Sequence, residues 1–147
     1  MKKFVVMMGL PRSGKSTYVD SHLSDYQVIC ADDIRLAMGV QYLQEIESFV
    51  WANHDVMIKA YLIRGKNIVV DATNTTDKTL KKYKKLANEY NYKFEVIFID
   101  TNYKICFDRN IGKDAVPDAV IDRMMEQIEV LAASEFWKKL NVKVIKC

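Results

Sequence analysis

The chain has 147 residues, a formal net charge of +3, half of its residues hydrophobic and 28% charged. That balance suits one globular domain with its own core and excludes a disordered or strongly acidic chain, while the small positive charge permits a polyanionic partner without demanding one. The longest apolar run is far short of a membrane span, and Lys2-Lys3 leads into a strand without a cleavage-type site. Cys30, Cys106 and Cys147 are widely spaced with no C-x-x-C pair, which argues against a disulfide framework or zinc site and for a reducing cytoplasmic setting. Five glycines and two prolines leave no low-complexity linker, and no internal repeat is present. A single domain over 1–147 is expected.

In chain order, Lys3–Met8 reads as an apolar strand, and a helix follows from Thr17, ending near Ser24. Gln27-Val28-Ile29-Cys30 is a short second strand that stops at Ala31-Asp32-Asp33. Ile34–Met38 is a helical turn closed by Gly39, with Asp33 the better-placed cap. Val40 to Arg64 reads as the longest helix, with Leu43, Ile46, Val50 and Met57 at helical spacing and Gly65 as its stop. Asn67–Asp71 is almost wholly apolar, as strands buried on both faces of a parallel sheet are. Asp77 caps a lysine-rich helix to about Tyr90; Phe94–Ile99 is the next strand; and a helix runs from about Tyr103 to Asn110. Pro117 opens a further helix, Asp118–Leu131, as a proline at the first helical position, and Asn141–Lys146 closes as a strand. The alternation predicts an α/β fold: a mostly parallel central sheet with helices on both faces.

Between the first strand and helix lies Gly9-Leu10-Pro11-Arg12-Ser13-Gly14-Lys15-Ser16, a complete G-x-x-x-x-G-K-[ST] phosphate-binding loop in its strand–loop–helix context. Gly9 and Gly14 permit a backbone path on which successive N–H groups converge on phosphate oxygens, and the helix end adds its positive pole. Lys15 is placed for the β- and γ-phosphates, and the Ser16 hydroxyl for Mg²⁺; Pro11, Arg12, Ser13 and Thr17 complete the nucleotide-binding set. Asp32-Asp33 and Asp71 also end strands, so all three features fall on the carboxyl edge of the sheet, where such folds bind ligands. This is the P-loop NTPase fold. No Asn-Lys-x-Asp guanine signature exists, which leaves ATP as the default donor.

The series Gly-Leu-Pro-Arg-Ser-Gly-Lys-Ser-Thr, Asp32-Asp33-Ile34-Arg35, Asp71-Ala72-Thr73-Asn74, then Arg109-Asn110 and Ala115-Val116-Pro117 resembles the 5′-hydroxyl polynucleotide kinases, most of all the kinase domain of a phage member. The markers keep the family's order from Gly9 to Pro117, but the Asp-x-Asp-Gly-Thr phosphatase signature is absent, so the resemblance is to a kinase half alone. It implies transfer of the γ-phosphate of ATP, with Mg²⁺, to the 5′-OH end of DNA or RNA. It further implies that Asp32 is the general base, which also fits a carboxylate facing the loop across the crevice. By the same resemblance Arg35 contacts the phosphate on the 3′ side of the acceptor nucleotide, and Arg109 acts as a lid residue on the ATP phosphates. The family's second lid arginine is Lys113 here, which supplies charge without a fork, and the loop to Pro117 is shorter. Arg12 replaces a loop glycine and faces either the γ-phosphate or solvent.

Asp71 ends strand three, where many kinases hold a Mg²⁺-linked water or brace the loop lysine; the resemblance marks it as a substrate-site residue without settling its role. Thr73 and Asn74 either line the acceptor groove or form a turn that caps the next helix. The five lysines at 78, 81, 82, 84 and 85 either track a nucleic-acid backbone or, as the main reading, form a solvated helix face. His54 reads as a core or boundary residue; Trp51, Trp137 and the tyrosines could stack on bases but at helical spacing read as mainly core. The rival readings are a small-molecule kinase of the same fold and a non-catalytic NTP-binding module. Asp32 discriminates against the latter, because a mere binder has no need of a carboxylate opposite the loop.

Overall fold

The computed structural model describes residues 1–39 and 42–147. Its strands are β1 (Lys3–Met8), β2 (Gln27–Ile29), β3 (Ile68–Val70), β4 (Lys93–Asp100) and β5 (Val142–Lys146). They form one sheet in the order β2-β3-β1-β4-β5, and every neighbouring pair is parallel. The helices are α1 (Lys15–His22), α2 (Ala31–Ala37), α3 (Glu47–Ile63), α4 (Asp77–Glu89), α5 (Tyr103–Arg109), α6 (Asp118–Ala132) and α7 (Glu135–Lys138).

Because strand side chains alternate, the central strand sorts its residues between two cores. Phe4, Val6 and Met8 enter the larger one with Ile58 and Leu62 of α3, Leu80 and Tyr83 of α4, and Ile121, Ile128 and Leu131 of α6. Val5 and Met7 enter the smaller one with Val69, Ile97, Ile99 and Val19 of α1. Helices thus cover both faces. The middle of the sheet has apolar side chains on both surfaces, which is why β3 and most of β1 read as continuous apolar runs.

Several local expectations are corrected. Helix α2 begins at Ala31, so Asp33 is not its cap: Cys30 holds the cap position, and Asp32 and Asp33 both lie in the first turn. Carboxylates there suit the positive helix end whether or not they cap it. Thr76, not Asp77, caps α4, its side chain accepting from the Thr79 N–H. The long helix begins at Glu47; residues 42–46 are non-helical, Leu43 is exposed, and Val40 and Gln41 lie outside the described residues. Pro117 is the cap of α6 rather than its first helical residue. The four-residue helix α7, capped by Ser134, has too little periodicity to be seen in sequence.

Candidate active site

The loop between β1 and α1 is held from three sides. Gly9 donates its N–H to the Thr73 carbonyl at 3.1 Å. The Asn74 amide, itself buried, donates to the Met7 carbonyl at 2.7 Å and to Ala72 at 3.3 Å. Thr101, the residue after β4, donates its hydroxyl to the Ser13 carbonyl at 2.6 Å. The loop has no room for side chains at its first glycine: a Cβ on Gly9 would stand 2.8 Å from both the Ile99 carbonyl oxygen and Ser13 Oγ. Gly14, at φ 105°, is the left-handed residue from which α1 springs. The first helical bond is made by the Tyr18 N–H to Gly14 at 3.0 Å, which leaves the N–H groups of Gly14, Lys15, Ser16 and Thr17 to a ligand.

Lys15 is buried in the loop it serves. Its ammonium donates to the carbonyls of Leu10 at 2.6 Å and Gly9 at 3.1 Å, and to Ser13 Oγ at 3.3 Å. Burial lowers its pKa to about 8, against the attraction of Asp71. Ser16, one residue on, donates its hydroxyl to Asp71 Oδ2 at 2.8 Å. Burial raises the Asp71 carboxyl above the ordinary range, while Ser16 and Lys15 pull the other way. Hydroxyl, carboxylate and ammonium therefore meet where β1 and β3 end. Oxygen donors of this kind suit Mg²⁺, a hard cation that keeps several waters and takes few protein ligands. Among the described residues no group of three or more His, Cys, Asp or Glu side chains forms a metal cage.

Asp32 and Arg35 lie one turn apart on α2. Arg35 Nη1 donates to Asp32 Oδ1 at 2.6 Å, while Nε and Nη2 fork onto Glu47 of α3 at 2.9 and 2.6 Å. The side chains of Arg35 and Glu47 are mostly covered, whereas that of Asp32 is 82% exposed. Arg35 chiefly, and to a smaller degree Trp51, hold the Glu47 carboxyl below its ordinary range against the opposing effect of burial. Nothing in the spacing of Arg35 and Glu47, twelve residues apart, marks them as partners.

The end of α5 and the loop after it are hydrogen-bonded to the phosphate loop. Arg109 Nη1 donates to the Arg12 carbonyl at 3.3 Å, and Arg12 Nη2 donates to the Asp114 carbonyl at 3.1 Å. Arg12, itself exposed, thus reaches the loop after α5 from a left-handed backbone at φ 67°. Asn110 pins that loop by accepting from the Val116 N–H at 2.8 Å and donating to the Val116 carbonyl at 2.6 Å. Lys113 is exposed within it; Pro11 lies inside the phosphate loop and Thr17 directly follows it. Asn74 braces β1 and caps nothing. Sequence reasoning missed Thr101 and Glu47, although Thr101 ends a strand on the same rim as Asp71.

Residues 4–131 match the AAA domain family. The chain belongs to that family. Its fold is the α/β P-loop NTPase fold. It is similar to the L-seryl-tRNA(Sec) kinase of Methanococcus maripaludis, 23% identical over 95% of this chain and 58% of that protein. It is also similar to a protein of Autographa californica nuclear polyhedrosis virus described as a bifunctional polynucleotide kinase/RNA ligase, 25% identical over 74% of this chain but 18% of the viral one. In fold, the chain resembles a chain of the Pnkp1/Rnl/Hen1 RNA repair complex: TM-score 0.77, 22% identity, 88% of this chain and 44% of that one. A sugar kinase from Janibacter matches at TM-score 0.66 and 15% identity over 99% of this chain and 86% of the other. The chain therefore spans little more than half of the curated relatives it matches, or less. No helix among the described residues is long and apolar enough to cross a membrane.

Proposed function

We propose that residues 1–147 form one kinase domain that transfers the γ-phosphate of ATP to the 5′-hydroxyl of DNA or RNA. The observation that carries this reading is the linked trio Asp32–Arg35–Glu47, built on the start of α2 just beyond the carboxyl end of β2. An exposed carboxylate tethered to a fixed guanidinium offers an acceptor both a proton acceptor and a cation.

The chain's own groups divide the work. The loop N–H groups and the α1 terminus bind and orient the donor phosphates. Lys15 leaves its loop carbonyls to place its charge on the β- and γ-phosphates, and Arg109 and Lys113 add charge from the lid. Ser16, with Asp71 behind it, would hold Mg²⁺, which when bound neutralises charge on the transferring phosphoryl group. Asp32 orients the acceptor hydroxyl and takes its proton as the oxygen attacks phosphorus. Arg35 receives the phosphate on the acceptor's 3′ side through N–H groups not committed to Glu47. Thr73 and Asn74 line the route to the acceptor, and Asn74 also braces β1.

A second reading has its own observation. Glu47 occupies the forked edge of Arg35, so an incoming phosphate must share the guanidinium, and a neutral small acceptor needs no such concession. Incubation with γ-labelled ATP and a panel of nucleosides, 3′-nucleotides and 5′-hydroxyl oligonucleotides tests both. Label on the oligonucleotide and 3′-nucleotide but little on the nucleoside supports the polynucleotide reading. Label only on small neutral alcohols transfers the assignment to its rival.

A further inference from the structure

Trp51 is not the core residue that helical spacing suggests. It lies one turn beyond Glu47 on α3 and remains 42% exposed. One side of the indole is supported by buried His54, with ring centroids 5.0 Å apart, and Arg35 lies 6.0 Å from its centroid. The tryptophan is therefore fixed against the same guanidinium that binds Asp32 and Glu47, with much of its surface left to solvent. Large apolar side chains elsewhere on this part of the chain are exposed as well, among them Leu36, Tyr42 and Phe49.

We infer that Trp51 is a specificity-determining residue of the acceptor site, and that its exposed surface stacks a nucleobase of the strand whose 5′-hydroxyl meets Asp32. The inference rests on the polynucleotide reading above. A rigid indole beside a cation suits a nucleotide, which joins an anionic phosphate to a flat polarizable ring. Stacking of this kind tolerates any base, since every base has a π-face, so it confers affinity for nucleic acid without sequence preference. Continuity with Arg35 selects this occupant over a protein partner: the apolar surface is joined to the charge a phosphodiester needs.

Steady-state kinetics with a 5′-hydroxyl oligonucleotide and a matched acceptor abasic at its first two nucleotides test it, using Trp51→Leu, Trp51→Phe and wild type. Trp51→Leu keeps apolar volume against His54 but removes the π-face; Trp51→Phe keeps a smaller one. Thermal melts confirm that each variant is folded before comparison. The expected result is a rise in KM for the normal acceptor of about tenfold in Trp51→Leu, largely restored in Trp51→Phe, with kcat nearly constant. The abasic acceptor should start with the raised KM and change less than about twofold. Equal KM shifts on normal and abasic acceptors, or none, overturn the stacking role while leaving the polynucleotide reading intact. Absence of any oligonucleotide turnover by wild type overturns both. Sedimentation showing a dimer in wild type and a monomer in Trp51→Leu makes this face a self-association surface and likewise overturns the inference.

Discussion

The Ser16 hydroxyl donates to Asp71 Oδ2 across 2.8 Å, joining the first turn of α1 to the end of β3. The two residues are 55 positions apart in sequence and act on one point of the rim. If Asp71 orients Ser16 for Mg²⁺, then Asp71→Asn should lower turnover at fixed Mg²⁺ by about ten- to a hundredfold, the range for lost supporting partners of metal ligands. Raising Mg²⁺ should recover part of it, whereas Ser16→Ala should stay inactive. Turnover titrated against Mg²⁺ separates these outcomes; an Asp71→Asn curve superimposed on wild type would remove Asp71 from the metal's surroundings.

Lys15 gives a pH dependence with a definite sign. Its buried ammonium has a pKa lowered to about 8, so the charge is present below that pH and lost above it. Since kcat/KM reports the free enzyme, kcat/KM for ATP should hold steady from neutrality to about pH 8 and then fall. The same shift makes this group's contribution to folding stability rise with pH between about 8 and the unfolded lysine value near 10.4. Lys15→Ala should abolish turnover yet keep a native far-UV circular dichroism spectrum, because Thr101, Asn74 and Thr73 still hold the loop. An unchanged kcat/KM up to pH 10 in wild type would show that the free enzyme does not depend on this proton.

What was legible in the sequence follows periodicity and local motif. The phosphate loop declares itself because its glycines and lysine have fixed spacing, and β3 and the body of β1 because double-sided burial leaves them apolar. Partnerships that close over long sequence distances were not legible: Glu47 with Arg35, Thr101 with the Ser13 carbonyl, Arg12 with Asp114. Each is a polar contact made by folding, with no repeat or spacing to announce it. The capping errors have a related cause. Asp33 and Asp77 have the right chemistry for a helix start, but first-turn acids and caps differ by only one to three positions. Trp51 was misplaced because helical spacing specifies a face, and a neighbouring ion pair rather than the core adjoins that face.

Asp32 and Asp33 now share the first turn of α2, so their roles separate by chemistry and not by capping. Asp32→Asn keeps shape and the Arg35 contact but removes the proton acceptor, and turnover should fall by about a hundredfold or more with ATP binding largely preserved. Asp33→Asn should cost little in either chemistry or stability, since its favourable interaction with the helix end is worth only about 0.3–1 kcal/mol. Single-turnover rates and nucleotide-binding isotherms on the two variants check this. Loss of chemistry in Asp33→Asn with retention in Asp32→Asn would exchange their assignments.

His54 is fully buried between Trp51 and Tyr83, and neither ring nitrogen has a protein hydrogen-bond partner. Burial lowers its pKa below the ordinary value. The folded state then binds its proton less readily than the unfolded one, so stability should decline as pH falls below about 6.5 and through the depressed folded pKa. His54→Phe replaces an unpaired polar ring by an apolar one of similar shape, a change that is neutral or stabilising at such sites. Thermal melts from pH 5 to 8 should show the wild-type decline on the acid side flattened in the variant. A steeper acid decline in His54→Phe would mean that the imidazole is paired in solution.

Arg35 decides between the two acceptor readings, because its guanidinium is divided between Asp32 and Glu47. If it holds the phosphate 3′ to the acceptor nucleotide, a nucleoside 3′-monophosphate should be a substrate and the bare nucleoside a poor one. A charge-assisted hydrogen bond of this kind contributes about 1.5–3 kcal/mol, or about ten- to a hundredfold in catalytic efficiency. Arg35→Ala should erase the preference by damaging the 3′-nucleotide reaction most, although some loss on the nucleoside is expected because Asp32 loses its tether. Arg35→Lys should restore charge but not the fork, and so recover only part. Glu47→Gln offers the converse test. It weakens the grip that fixes the guanidinium while leaving its charge free, so KM for the 3′-nucleotide should move and the nucleoside reaction should not. Equal efficiency on nucleoside and 3′-nucleotide in wild type would sink the polynucleotide reading, for then Arg35 serves only to orient Asp32, and a small neutral alcohol becomes the acceptor that this rim suits.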